Sequence, residues 1–372
     1  MALNVLYLIS TLNSGGPVKV LWGIVRHLDR RKYRPVIVTL SPEPENSIMR
    51  TFQEAGVETH QLNMSRAASL FTGRKQIHEA ISDTQADVVH CHGIRATLLA
   101  IGSSRRPLTA TLHCNLGDYY RLAYGRLPGA AMAWLEYRAL RKFNLVAAVS
   151  DNVDKTARSH GILPLIIRNG VDLGTYFPPR NDAEMKFLRE KLGWPAESVV
   201  VLHTGVLNAG KQPVEAIEGF LDARFSRKCI LVFAGDGPLR DRCAQAARGS
   251  DRIVFLGWRT DVADLMRAAD ILISNSASEG TPLTMLEGCA SGLTVVATDI
   301  PAHRSIQGMF PDQVVLSGDE LRKSLEQTVA RFTYGRWLRT TPPREALEAI
   351  SDRTMSEAYQ HVYSNLAAQY RA

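Results

Sequence analysis

Two glutamates in the second half of the sequence are candidates to accept hydrogen bonds from a ligand. Glu279 and Glu287 are separated by seven residues, and the second lies in a predicted helix that begins near Pro282. Carboxylates accept hydrogen bonds from hydroxyl groups, and the N–H groups at a helix start can bind phosphate. An anion site beside two hydroxyl acceptors fits a sugar nucleotide. In the structural alternative, Glu279 only caps the helix and Glu287 is solvated.

Lys211 is a candidate for binding a phosphate. It ends the sequence Gly205-Val-Leu-Asn-Ala-Gly-Lys, which has the spacing of a P-loop after a predicted strand. The next residue is Gln212 instead of the Ser or Thr that binds magnesium, and Pro213 lacks an N–H, so the P-loop interpretation fails. What remains is a lysine at a helix start that can neutralise a phosphate as a point charge. The alternative is a solvated surface lysine.

Two further glycine pairs follow predicted strands. Gly15 and Gly16 precede a predicted helix, where the backbone can approach an anion closely; a tight turn without a ligand is the alternative. Gly235-Asp-Gly237 resembles the start of a dinucleotide-binding fingerprint, but Arg240 replaces its third glycine. A close-packed strand-to-helix turn is therefore favoured there.

Three histidines lie at or just after predicted strand ends in the first half. His90 and His92 are two residues apart, but no further ligand is clustered with them, and the sequence contains no Asp-x-Asp pair. We therefore expect no metal. His113 ends the predicted strand 109–113 and is the better candidate to hydrogen-bond a reacting sugar, or its anionic leaving group, in a cleft between domains.

The elements that must position these residues alternate between short apolar strands and amphipathic helices. The strands are predicted at residues 3–9, 35–40, 87–91, 109–113 and 145–149, and in a second series at 199–203, 230–234, 253–256, 271–274 and 294–297. This order predicts two Rossmann-like α/β domains with parallel sheets. The first covers residues 1–170 plus a returning helix over 355–372, and the second covers 171–354.

Composition limits the class of protein. The 372 residues carry a net charge of +7, with 21 basic and 12 acidic residues in the first 170 and 23 and 25 in the rest. An excess of charge confined to one half argues against a protein that coats nucleic acid uniformly. Five cysteines without a CxxC pair indicate a reducing compartment, and we expect no signal peptide and no membrane-spanning segment.

Taken together, these motifs resemble the large retaining glycosyltransferase family with the GT-B fold and an E-x7-E motif, which includes the family 4-like and group 1 enzymes. The matching pieces span nearly the whole chain in the family's order. They are Ser14-Gly15-Gly16, His113, Asn169-Gly170-Val171-Asp172, Gly205-x-Leu-x-x-x-Lys211, Ala234-Gly-Asp-Gly-Pro-Leu-Arg240, Val254-Phe-Leu-Gly-Trp258 and Glu279-Gly-Thr-Pro through Glu287. The resemblance implies two Rossmann-like domains facing each other across a cleft, with a C-terminal helix that crosses back to the first.

The resemblance also implies roles for single residues. Glu287 would bind the ribose hydroxyls, Glu279 would hold the sugar hydroxyls, and His113 would contact the sugar near the reacting centre. Lys211 would neutralise the diphosphate. The remaining contacts would come from Gly15, Gly16 and Gly205 and from backbone at Trp258 and Arg259 reading the base. N–H groups around Gly280, Thr281, Pro282 and Leu283 would add to them, although Pro282 itself has no N–H.

Two departures from the family pattern are visible. The family places an arginine after the glycine of its Gly-x-Leu segment, where this chain has Val206; Arg259 or Arg304 could supply the missing cation. The family's Gly-Gly-x-x-Glu segment corresponds here to Pro301-Ala-His-Arg304, which lacks the acid.

A basic and aromatic stretch could face the acceptor. Residues 119–143 contain six aromatic and five basic side chains, with Glu136 as the only acid. Such a stretch suits an anionic membrane surface, with Arg138, Arg141 and Lys142 as the test residues. Alternatively, its aromatics face the core and its arginines are solvated.

The predicted function is therefore that of a retaining, metal-independent glycosyltransferase of the hexosyltransferase type. It would move a sugar from a nucleotide-diphosphate sugar, with UDP expected, to a lipid-linked or cell-surface glycan in bacterial lipopolysaccharide, capsule or exopolysaccharide assembly. We expect a cytoplasmic protein at the inner face of the membrane, with no nucleic-acid partner. The alternatives are a sugar-nucleotide epimerase or a non-catalytic glycan- or polyanion-binding protein.

Overall fold

The computed structural model describes residues 2–318, 320–332 and 339–371 and divides into two units. The first unit runs to Gly170 and resumes at Asp352, and the second covers Val171–Ser351. Each unit contains one parallel sheet with helices around it.

The first unit contains a seven-stranded sheet. Its strand order is β3-β2-β1-β4-β5-β6-β7, and every pairing is parallel. The central strands are buried on both faces, which is why they read as continuous apolar runs in the sequence. The strands are β1 (Leu3–Ile9), β2 (Tyr33–Thr39), β3 (Glu58–Gln61), β4 (Val88–His92), β5 (Leu108–Leu112), β6 (Leu145–Ala148) and β7 (Leu165–Ile166).

Nine helices belong to the described part of this unit. They are α1 (Gly16–Arg26), α2 (Met49–Glu54), α3 (Arg66–Phe71), α4 (Gly73–Asp83), α5 (Ile94–Ala100), α6 (Leu116–Tyr124), α7 (Arg126–Leu140), α8 (Asp151–Ser159) and the last helix of the chain, α17 (Asp352–Arg371).

Helix α17 packs against α1, and a glycine allows their close approach. A Cβ on Gly23 would lie 2.9 Å from the terminal methyl of Met355 and 3.1 Å from the Cβ of Asp352. The hydroxyl of Ser356 donates to the carbonyl oxygen of Ile24 at 2.7 Å. This buried hydrogen bond and the apolar face of α17 attach the end of the chain to the first unit.

The second unit repeats the Rossmann strand order with six strands. Its order is β10-β9-β8-β11-β12-β13, again all parallel. The strands are β8 (Val199–Thr204), β9 (Cys229–Ala234), β10 (Ile253–Gly257), β11 (Ile271–Ser274), β12 (Thr294–Ala297) and β13 (Val314–Leu316). The helices are α9 (Asp182–Leu192), α10 (Pro213–Leu221), α11 (Arg240–Ala246), α12 (Val262–Ala268), α13 (Leu283–Ala290), α14 (Pro301–Met309), α15 (Leu321–Ala330) and α16 (Arg344–Ala349).

The predicted fold class is confirmed, and three strands were missed. β3 and β7 lie in the first sheet, and β13 closes one end of the second. All three are short edge or near-edge strands, and β3 and β7 expose much of their surface, so they lack the apolar run that marks a buried strand. Within the described residues, no helix is long and apolar enough to cross a membrane.

Candidate functional site

The carboxyl end of the second sheet carries an ion pair between two predicted site residues. Lys211, in the loop after β8, contacts a carboxylate oxygen of Glu279 in the loop after β11. The hydroxyl of Ser276 donates to the same oxygen at 2.7 Å. Both charged side chains keep some exposure, so a ligand can reach them. The ends of parallel strands are where open α/β sheets bind ligands.

Backbone contacts hold the two loops in register. The N–H of Ala277 donates to the carbonyl of Gly210 at 2.9 Å, and the Asn275 amide donates to the carbonyl of Gln212 at 3.2 Å. The N–H of Lys211 donates to the side chain of Asn208 at 3.0 Å. Gln212 takes the left-handed conformation, with φ of 47°, where the loop enters α10. Lys211 is therefore placed by its own backbone and not only by its carboxylate partner.

The loop after β9 packs directly onto the loop after β8. A Cβ on Gly235 would lie 1.9 Å from the carbonyl oxygen of Gly205, and one on Gly237 would lie 2.7 Å from that of Leu207. The N–H of Gly205 donates to Ala234 at 3.1 Å. Gly235 and Gly237 thus form the close-packed turn that the sequence favours over a dinucleotide fingerprint.

The structure argues against the alternative in which Glu279 only caps the helix and Glu287 is solvated. Helix α13 begins after Pro282 without a side-chain cap, so Glu279 does not cap it. Glu287 lies in the second turn of α13 and is 4% exposed, so it is not solvated. Gly280 and Thr281 complete the turn into this helix, and Leu283 is its first residue. The E-x7-E pattern therefore places one carboxylate in the loop and one inside the helix.

Two buried histidines support this edge, and neither was predicted as a site residue. His303 bonds through Nδ1 to the carbonyl of Thr298 at 2.7 Å, and the Thr298 hydroxyl donates to the carbonyl of Ser276 at 2.6 Å. Burial lowers the pKa of His303 to about 4, and it lowers the pKa of His203 on β8 to about 4. Two features of the sequence could have indicated them. His203 interrupts an apolar strand, and His303 lies in the segment that lacks the family's acid.

The two arginines that could replace the family cation both have acidic partners. Arg259 donates through two nitrogens to Asp261, at 2.8 and 2.6 Å. Arg304 makes a similar forked contact with Asp299, at 2.5 and 2.9 Å. Val206 itself is exposed. Beside Arg259, the indole of Trp258 is 55% exposed just after β10.

In the first unit, Gly15 and Gly16 open α1 at the carboxyl end of β1. Gly15 is the N-cap, and no side chain caps the helix. The preceding turn is held by the carboxylate of Glu43, which accepts the N–H of Leu12 at 2.9 Å, and by an N–H of Ser14 that donates to Asn46 at 3.2 Å. The start of α1 therefore lacks a side-chain acceptor of its own.

His113 lies at the carboxyl end of β5 and meets another histidine. Its Nε2 is 2.9 Å from Nδ1 of His92, and the two rings are stacked with centroids 5.2 Å apart. Burial lowers the pKa of His113 to about 4, so its ring is neutral near pH 7. Among the described residues, no three histidine, cysteine or acidic side chains are grouped so that they could hold a metal ion.

The basic and aromatic stretch lies mostly in α6 and α7, which pack against each other, and it is divided between core and surface. Tyr120 and Tyr137 are buried, as the core interpretation requires. Leu127 is 84% exposed and Trp134 is 63% exposed, beside basic residues that are exposed as well. The guanidinium of Arg138 lies 5.6 Å from the centre of the Trp134 ring. The stretch therefore combines both alternatives, since some of its aromatic side chains face the core and others are exposed beside basic residues.

Comparison with solved structures defines the class of fold. Anabaena HepE in complex with UDP-glucose superimposes with a TM-score of 0.81 at 18% identity, covering 97% of this chain and 99% of that one. Sucrose-phosphate synthase from Thermosynechococcus elongatus gives 0.81 at 16% identity, covering 99% and 100%. At such identities the likeness shows the fold, which is GT-B.

The family follows from matches in sequence. Residues 14–175 match Glycosyltransferase Family 4, and residues 199–331 match Glycosyl transferases group 1, one in each unit and together most of the chain. The chain belongs to this GT-B glycosyltransferase family, which confirms the resemblance.

Two curated relatives illustrate the family. The UDP-Gal:alpha-D-GlcNAc-diphosphoundecaprenol alpha-1,3-galactosyltransferase of Escherichia coli is 24% identical over 242 residues, 62% of each chain. The lipopolysaccharide core biosynthesis mannosyltransferase LpsB of Rhizobium meliloti is 28% identical over 203 residues, 51% of this chain and 56% of that one. The chain thus spans less than two thirds of the length of these relatives.

Proposed function

We propose that this protein is a retaining glycosyltransferase that transfers a sugar from a UDP-sugar to a lipid-linked or cell-surface glycan acceptor. The observation that carries the proposal is the contact between Lys211 and Glu279 at the carboxyl end of the second sheet. It brings a cation for a diphosphate and an acceptor for sugar hydroxyls together from two separate loops. The family match adds the reaction type.

In this proposal, the residues of the second unit bind the donor. Lys211 exchanges its contact with Glu279 for the diphosphate, and Glu279 then accepts hydrogen bonds from the sugar. Glu287 binds the ribose hydroxyls, and backbone groups at Trp258 and Arg259 read the base. The N–H groups of Gly280, Thr281 and Leu283, which flank Pro282 at the start of α13, help to neutralise the phosphates, and Gly205 lets the loop approach them.

The main contribution of these residues to catalysis is electrostatic stabilisation of the leaving diphosphate. Lys211 and the helix N–H groups face the position where negative charge develops as the bond from the sugar to the phosphate breaks. The departing phosphate oxygen takes the proton of the acceptor hydroxyl on the same face, which preserves the anomeric configuration. From the first unit, His113 contacts the sugar near the reacting centre, and Gly15 and Gly16 approach the diphosphate. This set requires no metal ion.

The identity of donor and acceptor is supported by the relatives. HepE has been solved with UDP-glucose, and the Escherichia coli relative is named for a UDP-galactose donor and a diphosphoundecaprenol acceptor. We extend both features to this chain as proposals. A lipid-linked acceptor also suits the exposed apolar and basic side chains of α6 and α7, which we propose attach the protein to the inner face of the cytoplasmic membrane.

A donor panel tests the function directly. The protein would be incubated with UDP- and GDP-sugars, with and without a lipid-diphosphate glycan, and released nucleotide and sugar configuration would be measured. A glycosyltransferase releases nucleotide and makes an α-linked product from an α-linked donor. An epimerised sugar nucleotide would identify the epimerase alternative, and binding without any turnover would identify the non-catalytic one.

The ribose assignment has its own test. Replacing Glu287 with Gln keeps its shape but removes the charged acceptor, and we expect UDP affinity to fall about tenfold or more, because hydrogen bonds to charged groups contribute about 1.5–3 kcal/mol. Calorimetric titration with UDP measures the change. Wild-type affinity in this variant would refute the role of Glu287.

A further inference from the structure

A largely buried chain of contacting side chains runs from His113 to α17, with hydrogen bonds at both ends and a ring contact between His90 and His92. Nδ1 of His92 is 2.9 Å from Nε2 of His113, and the rings of His90 and His92 have centroids 4.4 Å apart. His90 bonds through Nδ1 to the hydroxyl of Tyr363 at 2.8 Å and through Nε2 to the hydroxyl of Thr111 at 2.8 Å. The positions of the histidine rings are thus determined by contacts on both sides.

The His92–His113 pair has only two arrangements of its protons. Burial holds the pKa of His92 well below its ordinary value and lowers that of His113 to about 4, so each ring carries one proton near pH 7. In one arrangement, Nδ1–H of His92 donates to Nε2 of His113. In the other, Nε2–H of His113 donates to Nδ1 of His92, whose own proton then sits on Nε2.

The surroundings of His92 distinguish the two arrangements. Its Nε2 is buried and has no hydrogen-bond partner among the residues that the structure describes. The second arrangement would therefore bury an N–H donor without an acceptor, whereas the first leaves only a lone pair unsatisfied. Orphaned buried N–H groups are rarer than under-satisfied acceptors. The first arrangement is favoured, and it requires the proton of His113 to lie on Nδ1.

We propose that His92 is a positioning residue that holds His113 as the Nδ1–H tautomer, so that His113 meets its ligand as a hydrogen-bond donor. The ligand would be an electron-rich oxygen, either a hydroxyl of the donor sugar or the leaving phosphate oxygen. This inference rests on the proposed function of His113. Because Nε2 of His113 is occupied by His92, Nδ1 is the nitrogen left for that ligand.

The tautomer can be observed without any turnover. Uniformly ¹⁵N-histidine-labelled protein would be studied by long-range ¹H–¹⁵N correlation, with His113→Gln used to assign the signals of His113. We expect a protonated Nδ1 and an unprotonated Nε2 in the wild type. A wild-type His113 protonated on Nε2 would overturn the proposal whether or not the protein transfers sugars, so its failure is distinguishable from failure of the proposed function.

Three variants separate positioning from packing. His92→Leu removes the donor, and we expect His113 to shift toward the Nε2–H tautomer and kcat to fall about tenfold to hundredfold with little change in the donor KM. His92→Asn keeps an N–H donor near the position of Nδ1 and should retain both the tautomer and most of kcat. Thr111→Val breaks the chain at His90 and should leave the tautomer of His113 unchanged.

The outcomes that would refute the positioning role are also distinct. A tautomer shift in His92→Leu with kcat unchanged would show that the tautomer has no catalytic consequence. Equal losses in His92→Leu and His92→Asn, with the tautomer retained in both, would show that His92 acts only through packing. Thermal unfolding of each variant identifies any that fails to fold, and the wild-type spectrum decides the tautomer in that case.

Discussion

The two sheets have the same strand order over six strands, but their carboxyl ends carry different polar groups. In the first unit, this edge holds three neutral, buried or half-buried histidines, of which His90 contacts buried hydroxyls. In the second, it holds an ion pair with part of its surface exposed, above two buried neutral histidines. The same strand order thus carries neutral hydrogen-bonding groups in the first unit and charged groups in the second.

The two units also differ in what their closely packed glycines contact. In the second unit, glycine lets one backbone segment touch another, as at Gly235 and Gly205. In the first unit, the close contacts of Gly23 in α1 are with side-chain atoms, the flexible end of Met355 and the Cβ of Asp352. Four measurements test these differences.

Acid should destabilise both units, and the first more steeply. Burial lowers the pKa of His90 to about 3 and of His113 to about 4, and it holds the pKa of His92 well below its ordinary value; in the second unit, the pKa values of His203 and His303 are lowered to about 4. An unfolded histidine binds its proton below about 6.5. Between that pH and the folded pKa, only the unfolded state gains protons, so stability falls as pH falls.

The expected slope is about 1.4 kcal/mol per pH unit for each such histidine, which sums to about 4 kcal/mol per pH unit for the first unit and about 3 kcal/mol per pH unit for the second. Hydrogen exchange on the full chain at pH 7 and pH 5, corrected for the intrinsic rate, resolves the two units. Equal protection in both at the two pH values would contradict the assignment of neutral histidines.

Removing the cation of the second edge should nearly abolish turnover. In Lys211→Ala, the developing charge on the diphosphate loses its main partner, and we expect kcat to fall about 10²- to 10³-fold. Arg304→Ala is the matched control, because Arg304 is exposed and already paired with Asp299; it removes a surface ion pair that contributes little to stability, so we expect kcat close to that of the wild type. Similar losses in both variants would place the diphosphate cation at Arg304 as well.

The glycine contacts should respond differently to a methyl group. Gly235→Ala forces backbone against the Gly205 carbonyl, and we expect a loss of about 3 kcal/mol in the free energy of unfolding. Gly23→Ala displaces the end of Met355 and shifts the Cβ of Asp352 by a few tenths of an ångström, and it gains helix propensity, so we expect a change within about 1 kcal/mol. Urea unfolding of both variants compares them. A larger loss of unfolding free energy in Gly23→Ala than in Gly235→Ala would contradict the conclusion that the contact at Gly23 adjusts more easily.

The smallest effect is expected at the exposed surface of α6 and α7. The double variant Arg126→Gln/Arg138→Gln should bind anionic vesicles about tenfold or more weakly, because each basic residue near such a surface contributes about 1 kcal/mol. Arg141 is left unchanged, since its Nε donates to the carbonyl of His160 at 2.8 Å. Sedimentation with phosphatidylglycerol vesicles measures binding.

The matched control for that surface is Leu163→Ser, which removes an 81% exposed side chain elsewhere in the first unit. Its vesicle binding should equal that of the wild type. Unchanged binding in the arginine variant, or an equal loss in the control, would exclude α6 and α7 as a specific membrane contact.

Much of the fold could be predicted because the central strands are buried on both faces. Their apolar runs are local features, and the predicted strands at 271–274 and 294–297 have the observed bounds. β3 and β13 could not be predicted, since a short strand at an edge gains its stability from the neighbour that it pairs with. That neighbour is distant in sequence.

The candidate site divides along the same line. The order of amino acids is enough to show which loops follow the strands, that Glu279 and Glu287 are spaced by seven residues, and that Lys211 enters a helix, because these features are local. The folded chain is needed to show that Lys211 contacts Glu279, that Arg259 and Arg304 are paired with aspartates, and that His92 lies against His113. These depend on which side chains parallel strands bring to one edge, and strand pairing joins residues far apart in the chain.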